Sequence, residues 1–245
     1  MGLFALGMIG VLSLPLSLVP LLEHELAQAG TAIPSRNVLV VMTLIQPTLL
    51  LALGIAIGCT LAPRLELVSL LDRTRPLNRL RRCAPMAIAW GLTLAALFTV
   101  ADVFFFRVHL DESTVSILEQ GGIASTLAAM LYGGITEEII TRWGLMSLFA
   151  WLGWRIFQRN RDRPPDSVFY AAIVLAAICF AVAHLPAAMK MGTLSIPLVA
   201  RVLTLNTAAG LVFGWLFWRH NLETAMLAHA SVHVGLAAAV LVGWS

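Results

Sequence analysis

Residues 133–144 read GGITEEIITRWG, two glutamates and an arginine inside a stretch otherwise built for lipid. The segment lies within residues 122–153, apolar on both flanks. A charged side chain at mid-bilayer costs roughly 2.5–3.5 kcal/mol even on the lenient insertion scale. Glu137, Glu138 and Arg142 therefore need partners, or chemistry, to justify their position. The rest of the chain has the same apolar character. Its 245 residues are 59% hydrophobic and 12% charged, with mean hydropathy +0.87. Soluble domains run at about 45–50% apolar and about 25% charged. The fold class is all-α, a polytopic transmembrane helical bundle, and no polar stretch is long enough to bury a core of its own.

A span needs about 20 apolar residues. Seven segments qualify: 2–22, 38–62, 86–108, 122–153, 168–186, 196–217 and 222–244. The first lacks a basic leader, and Glu23, His24 and Glu25 separate it from the cleavage-like Ala27-Gln28-Ala29, so it reads as a retained helix. The segment 122–153 is long enough to break near Gly133-Gly134. Two units follow: residues 1–110, with N-terminal membrane helices and a basic cytoplasmic loop, and residues 120–245, a catalytic helical core within one continuous membrane domain.

The loop 64–82 holds six arginines and 155–166 four more, whereas 109–121 between them is acidic. The positive-inside rule puts the first two and Arg219 in the cytoplasm and 109–121 outside, with the amino terminus inside and the carboxyl terminus outside. Leucines at near-helical spacing in LELVSLLDRTRPLNRL (residues 65–80) predict an interfacial helix there. The basic residues beside helix ends serve topology and do not form a nucleic-acid patch. Cys59, Cys83 and Cys179 fit neither a disulfide framework nor a cysteine zinc site and are expected to pack. Gly54/Gly58 and Gly210/Gly214 have the four-residue spacing that lets membrane helices approach closely.

Within the spans the main ionisable residues are Glu137, Glu138, Arg142, His184, Arg201, His229 and His233. Glu138 and Arg142 stand at i and i+4, share a helix face and can form a purely structural ion pair. Glu137, one position earlier, turns about 100° away and needs another partner: a proton, a metal, a histidine or water. His184 lies near a helix end, where a lone histidine is often merely interfacial. His229 and His233 lie one turn apart on an apolar helix and want polar company, for which Glu137 is the obvious acid. A carboxylate and histidines brought together from three helices suit a site in a bundle core.

These residues resemble a known family. EEIITRWG is similar to the EExxxR motif of the CPBP family, which comprises CAAX-type prenyl proteases, Abi proteins and bacteriocin-processing proteins. FAVAHLP resembles its FxxxH motif, and residues 205–233 its last two helices, which close on HxxxN/D. The resemblance covers roughly residues 120–240. Two positions depart from the pattern: Thr141 replaces an aromatic residue before the arginine, and His233 replaces the closing Asn or Asp. The family consists of intramembrane glutamic proteases. The resemblance implies Glu137 as general base on water, with His184 holding that water or protonating the leaving amine. It also implies His229 and His233 as oxyanion donors, and Glu138, Arg142 and Phe180 as residues that orient the site. It implies no cofactor.

Two rivals use the same residues. HxxxH is a zinc-ligand spacing, so Glu137 and the three histidines could hold zinc in a metal-dependent membrane protease, although Ala230 stands where HExxH needs its glutamate. A scaffold or proton-coupled transporter would also bury such groups, but no inverted repeat is present. The expected partners are a membrane-associated peptide or protein substrate and the lipid bilayer, with no nucleic acid. Fifteen arginines against one lysine point to a GC-rich bacterial genome and so to a bacterial inner membrane.

Overall fold

The computed structural model describes residues 1–71, 78–110, 117–189 and 195–243. Among them every regular element is helical, and seven helical stretches are long and apolar enough to cross a membrane: 2–28, 36–61, 80–109, 122–157, 166–188, 196–219 and 222–241. These match the expected spans to within a few residues at most ends. The first is two helices, α1 (Gly2–Ser13) and α2 (Pro15–Gln28), joined where Pro15 has no amide hydrogen to continue the ladder. Then come α3 (Arg36–Leu61), α4 (Asn78–Ala101) and α5 (Ile117–Leu131). The remaining helices are α6 (Ser147–Phe157), α7 (Asp166–Ala183), the one-turn α8 (Leu185–Ala188), α9 (Ile196–Arg219) and α10 (Leu222–Leu241).

Glycines set the packing. Gly91 of α4 lies against the backbone of Ala228 on α10, where a Cβ would come within 2.3 Å of the Ala228 carbonyl oxygen. Gly54 of α3 faces Ile140 and Gly144, and Gly58 faces Trp143. Gly210 and Gly214 of α9 lie against Ala177 and Ile173 of α7, so these two helices run antiparallel in close contact. Both four-residue glycine spacings thus act as helix-contact surfaces. The turn into α10 is made by Asn221, whose side-chain oxygen accepts from the Thr224 amide at 2.8 Å and the Thr224 hydroxyl at 2.9 Å, an N-cap.

Three expectations are corrected. The segment 122–157 does not break at Gly133-Gly134. It widens there into π-helix over Tyr132–Glu137 and again over Ile139–Met146, and its non-helical point is Gly122, at φ 55°. The interfacial helix is not found over the described part of 65–80, the remainder lying outside the described residues. Leu65, Leu67 and Leu70 face the core, and the stretch is tied to α10. The Leu222 amide donates to the Val68 carbonyl at 2.9 Å, and Glu223 accepts from the Ser69 hydroxyl at 2.6 Å and the Leu70 amide at 2.9 Å. Leucine spacing alone did not reveal that carboxylate anchor. Finally, Cys59 and Cys179 are exposed on the bundle's exterior and not packed inside it.

Candidate active site

The site is built around the two π-helical segments. π-Helices bond i to i+5, which widens the turn, and they occur often at functional positions. Glu138 lies between them and is wholly buried. Its Oε2 stands 3.2 Å from Arg142 Nε, the expected i, i+4 pair, although the N–H is not aimed at the oxygen as a hydrogen bond requires. The Arg142 guanidinium lies over the Phe180 ring, 4.9 Å from its centroid, and near Phe213 at 5.6 Å. It also donates to the Thr141 hydroxyl at 2.6 Å, and that hydroxyl donates to the Glu137 carbonyl at 2.5 Å. Thr141, at the family's aromatic position, thus links the arginine to the backbone of the first glutamate.

The other oxygen of Glu138 lies 2.8 Å from His229 Nδ1. The histidine's acid partner is therefore Glu138 and not the expected Glu137. Spacing along one helix cannot say which of two adjacent carboxylates faces another helix. An ionised carboxylate only accepts, so the bond places the Nδ1 hydrogen on His229 and leaves Nε2 turned elsewhere. Nε2 of both His229 and His233 faces Gly133, where a Cβ would stand 3.2 Å and 2.7 Å from them. The two rings stack at 5.0 Å, and Phe213 stacks on the far face of His229 at 4.6 Å.

Glu137 is set differently, its side chain about one-fifth exposed, with Oε2 4.0 Å from His184 Nε2. His184 caps the end of α7, and its Nδ1 lies 2.8 Å from the Phe180 carbonyl. A carbonyl can only accept, so Nδ1 carries the hydrogen and, in the neutral ring, Nε2 presents its lone pair toward Glu137. Straight spans would put His184 and His229 at different depths. The offset is filled by Phe180, whose ring lies 4.5 Å from His184 and 5.9 Å from His229, and by the adjacent glutamates, one serving each histidine.

Glu137, His184, His229, His233 and Phe180 all line one cavity of about 400 Å³, otherwise walled mainly by apolar side chains. Arg201, singled out in the sequence, also lines it and forms a two-pronged ion pair with Asp102, one bond of which (Nη2 to Oδ2) measures 2.9 Å. Asp102 was not singled out. It falls near a span end, and its partner is 99 positions away, so the sequence carries no local signal for the pair. Tyr132 and Asn206 also line the cavity unannounced. Among the described residues, no group of three or more His, Cys, Asp or Glu side chains is arranged to hold a metal ion.

Glu137 and three histidines thus line one cavity within a seven-span bundle. Residues 119–235, just under half of the chain, match the family model described as Rce1-like type II CAAX prenyl endopeptidase. Through this segment the chain is similar to membrane proteases of the CPBP type, and its seven candidate spans make it an integral, multi-pass membrane protein. No curated protein and no solved structure matches it.

Proposed function

We propose that the protein hydrolyses a peptide bond of a membrane-associated substrate with a water activated by Glu137 and held by His184. The observation that carries this reading is the Glu137–His184 pair, 4.0 Å apart at the cavity wall, with His184 Nδ1 committed to the Phe180 carbonyl. Glu137 and His184 Nε2 then both accept, and a water seated between them gives one hydrogen to each and keeps its lone pairs for a substrate carbonyl. As the water oxygen bonds to the carbonyl carbon, its proton passes to Glu137 and the carbonyl oxygen becomes an oxyanion. The proton is then delivered to the amine nitrogen, directly or through His184, as the C–N bond breaks.

The oxyanion falls to the stacked histidines. His229 gives its Nδ1 hydrogen to Glu138, so it donates from Nε2 only in its protonated form. His233 carries no such commitment among the bonds described, and its neutral ring can donate from Nε2. His233 is accordingly the main donor, in the place where the family has Asn or Asp. Glu138, Arg142 and Phe180 hold His229 and the arginine stack in register. The helices of residues 1–110 wall the site, and residues 120–245 carry its chemistry. No metal enters any step. Transport is less suited to this cavity, because its lining comes mainly from one end of the spans and not from a path through them.

The test is tail processing of membrane proteins in cells carrying wild type or Glu137→Gln. Gln keeps the shape but cannot take a proton. The expected result is a folded, inactive protein, and undiminished processing would refute the assignment.

A further inference from the structure

The cavity has a direction. Most spans that contribute to it do so from the same end, Leu14 and Ser17 lying midway along the first. On α4 and the turns after it the lining includes Thr99 and Asp102, at the end of the 80–109 span, and on α7 it includes His184, the residue that ends the helix. α9 contributes from Arg201 to Phe213, within its first three-quarters, and α10 contributes from His229 up to Val240, one residue short of its end. His233 stands eight residues before Leu241, about 12 Å at 1.5 Å per residue.

The arginines lie at the opposite end. Arg64, Arg81, Arg82, the four arginines of residues 155–163 and Arg219 all flank span ends there. That these segments share one end is seen in their contacts. Arg163 pairs with Glu66 at 3.2 Å, Arg219 with Asp166 at 3.5 Å, and the Leu222 amide bonds the Val68 carbonyl. At the cavity end, the described arginines are Arg36, Arg107 and Arg201, the last paired with Asp102. The bias of arginine and lysine in short loops fixes orientation, and acidic residues contribute little.

We infer that the cavity opens on the outer face of the membrane, away from the arginine-rich loops, and that its substrate is the apolar juxtamembrane segment of a polypeptide presented on that side. The orientation rests on charge and cavity placement alone; the substrate class rests also on the hydrolytic reading above. The mouth carries Asp102, Arg107 and Arg201 among mainly apolar neighbours such as Leu110, Leu205, Leu236 and Val240, which suits a peptide stretch that would otherwise lie at the lipid surface. A soluble cytoplasmic tail reaches neither the mouth nor the glutamate.

The experiment uses the full chain in a bacterial cytoplasmic membrane, with Cys59, Cys83 and Cys179 changed to Ala. Single cysteines are introduced at the mouth (Leu110→Cys or Val240→Cys) and at the arginine end (Arg159→Cys). A membrane-impermeant maleimide is applied to intact spheroplasts and to inverted vesicles. As a second measure, a phosphatase that needs disulfides to fold, and so is active only outside, is fused to the carboxyl end. The expected result is mouth labelling in spheroplasts, Arg159→Cys labelling only in inverted vesicles, and an active phosphatase. The mirror-image pattern overturns the orientation. For the substrate, cut sites are mapped in membrane proteins from cells carrying wild type or Glu137→Gln. Sites gained with wild type should lie in outer juxtamembrane segments, and sites confined to cytoplasmic tails overturn the substrate class. Outward labelling with no difference between wild type and Glu137→Gln sinks the hydrolytic assignment and leaves the orientation standing.

Discussion

The two neighbouring glutamates occupy opposite kinds of surroundings. Glu138 is fully buried, with Arg142 on one oxygen and His229 on the other. Glu137 is partly exposed to the cavity and has only a histidine at 4.0 Å. A wholly buried carboxylate that does not line the cavity is out of a substrate's reach. One held loosely at the cavity wall is within it. On the proposed reading, one peptide bond separates a structural acid from a chemical one, and substitutions at the two positions should part accordingly.

The largest effect is expected at the loose acid. Glu137→Gln should lower activity by about 10²–10⁴-fold, the usual contribution of a general base, with the melting temperature unchanged. Glu138→Ala should do the reverse to the fold. Removing one partner from a buried pair costs about 3–5 kcal/mol, so folded yield and melting temperature should fall sharply, and activity only with them. If the two variants lost activity equally with equal stability, the division would fail.

His233→Ala should cost about 10²–10³-fold in kcat, as for one lost oxyanion donor, whereas His233→Asn should retain most activity because the amide also donates. Chelators should leave the wild type unaffected. Chelator-sensitive activity with bound zinc would instead make the histidines ligands, and Asn a poor replacement. Gly133→Ala puts a Cβ 2.7 Å from His233 Nε2, which must move. A displacement of about 1 Å can cost about 10²-fold, so kcat should fall while stability holds. The smallest effect on the fold is expected at the mouth. Asp102→Asn weakens a pair whose side chains are about one-fifth exposed at the cavity wall, so the melting temperature should fall by less than in Glu138→Ala. A KM change without a kcat change would place this pair in substrate binding and not in the chemistry.

The spans were legible because lipid imposes length and composition on every one of them. Four of the residues lining the cavity, Glu137, His184, His229 and His233, were legible for the same reason, since ionisable side chains are costly in apolar helices. What one helix contributes can be read from its own sequence, but contacts between helices cannot. The pairing of His229 with Glu138 and not Glu137, the Asp102–Arg201 bond and the docking of Ser69 on Glu223 are all long-range choices. The π turns around Glu138 were hidden too. The sequence follows an i, i+4 logic there, and the widened turns lie against glycines of α1 and α3.

The Thr136 hydroxyl donates to the Gly7 carbonyl at 2.7 Å, and Gly10 seats so closely on Leu131 and Thr136 that a Cβ would come within 2.5 Å of the Leu131 carbonyl oxygen. Both glycines belong to α1, far outside the residues that match the family. The segment that matches the family is therefore not a portable cassette. Excised as residues 119–235, it would present a bare backbone groove and an unmet threonine to lipid, and grafting it onto another set of helices would succeed only where two small residues three apart meet Thr136 in the same way.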